Sequence, residues 1–178
     1  MKSTSNHSII AMKEQVNSAV DQNVVLGLRV IFFSFILGVY AFLLIAIFVY
    51  FGQKSDPDLV VPLTSNSYMI TLIALGYMVM AIPLSAMLFK KVLKTEKNTD
   101  PHVIVANIRA AMLVRLAVFE GAALLAATGI LLGSLDGYLV GNPIIWLNLV
   151  PIFYFTLHII MNLPSKSRIV YIYESNFF

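Results

Sequence analysis

The chain has 178 residues, 59% of them hydrophobic and only 12% charged, with a mean hydropathy of +0.85 and a formal charge of +3. A soluble domain of this size carries about twice that share of charged side chains, so the composition specifies an integral membrane protein. It excludes a nucleic-acid-binding module and a disordered tail, and the absence of cysteine excludes a disulfide framework, a thiolate metal site and a cysteine nucleophile.

The amino end is polar. No short apolar stretch with a small-residue cleavage site stands near it, so the first apolar run is expected to stay in the mature protein. Residues 1–27 space Ile9, Met12, Val16, Val20 and Val24 three or four apart, the pattern of an amphipathic helix. That helix would lie on the inner membrane surface or lead into the first span; the sharper alternative is a partner-binding arm. Four runs then reach the ~20 residues that a bilayer crossing needs, at about residues 28–52, 68–89, 110–133 and 143–163. With no water in the hydrocarbon core, each must close its own backbone hydrogen bonds as a helix.

The first span is rich in Phe, Phe35 among them, and is expected to face lipid over much of its surface. The second continues through Lys90, Lys91 and Lys94. Asp100–Pro101 is an N-cap followed by a first-turn proline, so a helix from Pro101 runs without a break into the third span. SLDGYLVGNP is a Gly-rich turn before the fourth span, and residues 164–178 form a tail. Gly76, Pro83 and Pro151 read as ordinary in membrane helices; the alternative is that they kink the second and fourth spans, a device that transporters exploit. The predicted architecture is therefore all-α: one polytopic membrane domain, a four-transmembrane-helix bundle with antiparallel neighbours.

Lys and Arg set the orientation. Lys2, Lys13, Lys90, Lys91, Lys94, Lys97, Arg109, Lys166 and Arg168 fall on one side, and Lys54 alone on the other. The positive-inside rule then places both termini in the cytoplasm. Orientation alone accounts for the lysines after the second span, although such a cluster also suits anionic lipid or a partner.

Only two ionisable acids or bases lie well inside a span, Arg115 and Glu120, both in the third. A charge there costs at least about 2.5–3.5 kcal/mol on insertion scales. Arg115 is long enough to snorkel toward the inner headgroups. Glu120, almost at the midpoint of its run, is too short to reach either surface. Five residues place the two about 140° apart around the helix, which is poor spacing for a salt bridge. Glu120 is therefore expected to find partners on other helices, to be protonated, or to face water. Tyr40, Tyr77 and Tyr154 fall at its depth, Thr156 is close to it, and His158 is nearer Arg115; Asn148 lies in the outer half of the fourth span. A carboxyl held dry at that depth is expected in its neutral, hydrogen-bonded form. Gly121, Ala122, Ala123, Ala126, Ala127 and Gly129 follow it and allow close helix approach, which makes the third span the central one. Glu120 reads either as a hydrogen-bonded strut or as a proton- or cation-binding carboxylate. His7 and His102 lie outside the spans, no metal-ligand spacing or catalytic motif occurs, and no cofactor is implied.

These residues carry a resemblance. The stretch over residues 85–170 resembles a family of small, uncharacterised four-helix membrane proteins of bacteria. Shared features are a basic loop (Lys90, Lys91), Arg115 before the pair Glu120–Gly121, the small-residue run to Gly129, and Pro164–Ser165 through Arg168–Ile169 after the last span. The resemblance implies a multi-pass protein of a bacterial inner membrane and carries no activity. A weaker similarity is to the proteolipid c subunits of rotary ATPases, which also hold a mid-membrane carboxylate among small residues; their glycine repeat and internal duplication are missing here. The expected function is that of a non-enzymatic scaffold or modulatory component, contacting the lipid bilayer and either further copies or a membrane-complex partner. The alternative is a proton- or cation-coupled translocating subunit that uses Glu120.

Overall fold

The computed structural model describes residues 13–53, 62–94 and 100–177. Helix α1 covers residues 13–19, and α2 (Gln22–Gly52), α3 (Asn66–Leu93) and α4 (Pro101–Leu135) follow. Next come α5 (Pro143–Trp146), α6 (Leu149–Met161) and α7 (Lys166–Phe177). No strand occurs among the described residues. α2, α3, α4 and the α5–α6 pair are long and apolar enough to cross a membrane, so the molecule is an all-α polytopic bundle.

α4 is the axis. Half of its most apolar stretch is buried, against 17% for α2, and its contacts with α3 are the most extensive between any two elements. The sequence dictates this intimacy. Ser67, Thr71, Ala74, Met78, Ala81 and Ser85 form one buried stripe on α3. It faces a helix whose buried set includes Ala111, Ala122, Ala123, Ala126 and Ala127. Small side chains on both sides let backbones approach, where packing rather than water drives association. The hydroxyls do not interfere, because they bond back into their own helix: Thr71 donates to the Ser67 carbonyl at 2.8 Å and Ser134 to that of Ile130 at 2.9 Å. α2 buries Val25, Leu28, Phe32, Val39 and Ala46, a single stripe with a period near seven, and leaves Phe33, Phe48 and Phe51 exposed. Phe35 departs from the lipid-facing expectation: it is half-buried and packs against the core.

The helix ends follow local chemistry. Asp100 Oδ1 accepts the His102 N–H at 2.8 Å with Pro101 in the first turn, so α4 begins at the predicted place. It ends in a Schellman motif: Tyr138 N–H donates to the Gly133 carbonyl at 2.8 Å and Gly137 N–H to that of Ser134, with Gly137 at φ 75°. The 35 residues of α4 extend about 52 Å at 1.5 Å each, longer than a hydrocarbon core. Its first turns bury Ile104, Val105 and Ile108.

Three regions depart from the expected outline. The fourth span is broken into α5 and α6 at Leu147–Asn148. Pro151 has no N–H for the Leu147 carbonyl, and that carbonyl is taken instead by Val150 N–H at 3.0 Å. The tail is not free. Ser165 caps α7 by accepting the Arg168 N–H at 3.1 Å, and α7 folds back on α4 with Ile169, Ile172 and Tyr173 buried. The amino segment is not continuous with the first span, since helix is interrupted at Val20–Asp21. Val16 and Val20 belong to the core cluster, Val24 is half-buried, and Lys13 pairs with Glu174 of α7. Its apolar face is thus turned onto the protein. Ile9 and Met12, like His7, Lys54 and Lys97, lie outside the described residues.

Candidate intramembrane polar site

Polar residues along α4 gather at three levels. The outer level centres on Asn148, which is fully buried at the α5–α6 break. Its Nδ2 donates to Thr71 Oγ1 at 2.7 Å and to the Ile145 carbonyl at 2.9 Å, while its Oδ1 is buried with no partner. The amide lies against Gly129, where an added Cβ would come within 2.7 Å of Nδ2. Sequence depth alone located Asn148 in the outer half of its span; what it missed is that the freed turn before Pro151 needs this side chain as a bridge.

The middle level holds Glu120. Gly121 packs on the ring of Tyr77, with a would-be Cβ 3.3 Å from the phenol oxygen, and Tyr77 sits near the centre of the 68–89 run. Phe119 meets Tyr154 at 5.3 Å between centroids, near the centre of the 143–163 run. Tyr40 and Thr156 hydrogen-bond to each other at 3.1 Å, and Thr156 also donates to the Ile152 carbonyl at 2.8 Å. The three phenols and Thr156 therefore share one level, but their polar groups do not converge on the carboxyl. Among the described residues Glu120 makes no hydrogen bond and no ion pair. It is half-buried, three residues beyond exposed Ala117 on the face of α4 that also exposes Ala106 and Ala110. The carboxyl thus borders a strip of α4 that the described residues leave uncovered.

The inner level forms at the end of the bundle that carries Lys90, Lys91 and Lys166. Arg115 turns away from Glu120, as the 140° separation requires. Its guanidinium lies over the Phe89 ring, 5.7 Å from the centroid, and its Nε is buried without a partner. His158 packs on Phe119 at 4.5 Å and beside Tyr154. Arg168 of α7 donates to Asn162 Oδ1, and Asn162 Nδ2 donates to the His158 carbonyl at 2.7 Å. Arg29 Nε donates to the Pro164 carbonyl at 2.8 Å. The expected polar set is therefore split: Tyr40 pairs with Thr156, Arg115 and His158 belong to the level near the lysines, and Glu120 has no partner among the described residues. Arg168 joined this group only through the docking of α7. Its sole sequence signal was the Pro164–Ser165–x–x–Arg168 pattern, which is the stop of one helix and the cap of the next.

Among the described residues, no three His, Asp or Glu side chains converge as metal ligands. No family model matches the chain, and neither a curated protein nor a solved structure gives a significant match.

Proposed function

We propose that the protein is a non-enzymatic component of a larger membrane assembly, and that a second polypeptide satisfies Glu120. The observation that carries this reading is a mid-span carboxyl that has no partner among the described residues and borders exposed alanines. A carboxyl facing hydrocarbon without a hydrogen bond costs several kcal/mol, and a neighbouring helix that offers a donor removes that cost. Ala106, Ala110 and Ala117 leave room for such a helix to approach. The distribution of Lys and Arg supports cytoplasmic termini, and the resemblance over residues 85–170 supports a bacterial inner membrane.

Extraction in mild detergent tests the reading. The wild-type protein should migrate as a defined assembly, as copies of itself or with another membrane protein. Glu120→Leu should dissociate it, and Glu120→Gln, which keeps hydrogen-bonding capacity at the same reach, should retain it. A monomer in all three cases would reject the proposal. The half-exposed position of Glu120 also favours a second reading, a proton- or cation-coupled translocating subunit. An amide cannot exchange a proton, so on that reading Glu120→Gln abolishes transport while the assembly persists. A hydrophobic carbodiimide would then modify Glu120 rapidly.

A further inference from the structure

We infer that the cavity at the basic end of the bundle binds a phosphate group, held between the guanidiniums of Arg115 and Arg168. The cavity has a volume of about 170 Å³ and is walled by side chains from α2, α3, α4, α6 and α7. Arg115, Arg168 and His158 line it, and no carboxylate does. The nearest acid along α7, Glu174, is taken by Lys13. Two guanidiniums in one partly dry cavity repel each other, and an anion between them turns that repulsion into attraction.

The donors suit a tetrahedral oxyanion. Arg115 lies over the Phe89 ring in a cation–π contact, and among the described residues its guanidinium makes no hydrogen bond or ion pair that would compete with an anion. Arg168 is positioned by Asn162, which is itself anchored to the His158 carbonyl, and Asn162 occupies only part of the Arg168 fork. Planar forks of this kind bind phosphate through paired N–H groups, which a spherical halide does not exploit. The volume equals that of about five or six liquid waters, enough for one phosphate group and some hydration. Phe32 and Met112 supply an apolar wall for the first carbons of an ester. The cavity lies level with Phe89, just before Lys90 and Lys91, and beside the end of the fourth span, which is headgroup depth. The phosphate could thus belong to a lipid headgroup or be free in solution.

Thermal unfolding of the purified, delipidated full chain in an uncharged detergent tests the site. One arm titrates inorganic phosphate against chloride at matched ionic strength. The other adds phosphatidylglycerol, with the diacylglycerol of the same acyl chains as its phosphate-free control. The expected result is a rise in melting temperature with a phosphate-bearing compound. A response to phosphatidylglycerol alone identifies a lipid headgroup, and a response in both arms shows that the phosphate group suffices. Arg168→Gln, and separately Arg115→Lys, which keeps the charge and loses the fork, should weaken the response about tenfold or more in ligand concentration. Arg109→Gln, a basic residue outside the cavity, should leave it unchanged. No rise beyond chloride and diacylglycerol would overturn the assignment. So would a full response in both cavity variants, or an equal loss in Arg109→Gln.

Discussion

Tyr173 is the residue that reports on the docking of α7. It is 2% exposed, and this burial raises its phenol above the ordinary value of 10.0. The folded state therefore favours the neutral phenol. Its contribution is complete below pH 10 and is lost as the pH rises through the folded value, because the undocked phenol ionises first. Beyond the intrinsic base-catalysed rise, hydrogen exchange of the α7 amides should accelerate above about pH 10 in the wild type and change less in Tyr173→Phe. Equal acceleration in both would show that Tyr173 does not govern the docking. Glu120 shows a different property of single residues. Counting along a helix yields a height: Tyr77 packs on Gly121 and Tyr154 on Phe119, the two neighbours of Glu120, while Tyr40 bonds Thr156. Counting along separate helices does not yield their mutual rotation, and rotation decides who bonds. Tyr40 accordingly faces Thr156, and Gly121 rather than Glu120 faces Tyr77.

At the scale of the element, α4 depends on the absence of side chains. A Cβ at Gly129 would meet the Asn148 amide at 2.7 Å, and one at Gly133 would meet Ile145 at 2.9 Å. The Asn148 amide cannot retreat without giving up Thr71 and the Ile145 carbonyl. Gly129→Ala should therefore destabilise the fold by about 1–3 kcal/mol, whereas Gly76→Ala, with nothing within 4 Å of the added carbon, should be tolerated. Thermal unfolding in detergent checks the pair, and equal melting temperatures would contradict the close approach. Hydropathy located the long helices because lipid imposes apolar runs of fixed length, and Asp100–Pro101 marked the start of α4 because capping is local. The break between α5 and α6 was legible only as the less favoured alternative, a kink at Pro151. A proline in a membrane helix is commonly absorbed, as Pro83 is within the continuous α3, and only the Asn148–Thr71 contact across helices shows that Pro151 is not. The docking of α1 and α7 was hidden. Both are short and polar on average, and their few buried side chains acquire meaning only against the bundle.

At the scale of the molecule, both described ends of the chain meet at the basic end of the bundle. Lys13 pairs with Glu174, and Arg29 holds the Pro164 carbonyl. An even number of spans agrees with this closure. The proposed orientation rests on nine basic residues against one, and the cysteine-free sequence makes its test clean. A cysteine at Asp136 should label from outside intact cells, and one at Asn98 only after the inner face is opened. The reverse pattern would invert the topology. The cavity of Arg115 and Arg168 escaped a reading of the sequence because its two arginines come from α4 and from a segment that reads as a tail. The pairing of these arginines is a product of tertiary structure.

On the proposed reading, another polypeptide covers the face of α4 beside Glu120. The most direct test places a photoreactive residue at Ala117 in intact membranes and compares it with the same residue at Phe48, which is 81% exposed on α2. Ala117 should cross-link to protein, either a second copy or a distinct membrane polypeptide. That adduct should disappear in Glu120→Leu and persist in Glu120→Gln, while Phe48 should label lipid alone. Lipid adducts only at Ala117, or a protein adduct indifferent to Glu120, would contradict the account.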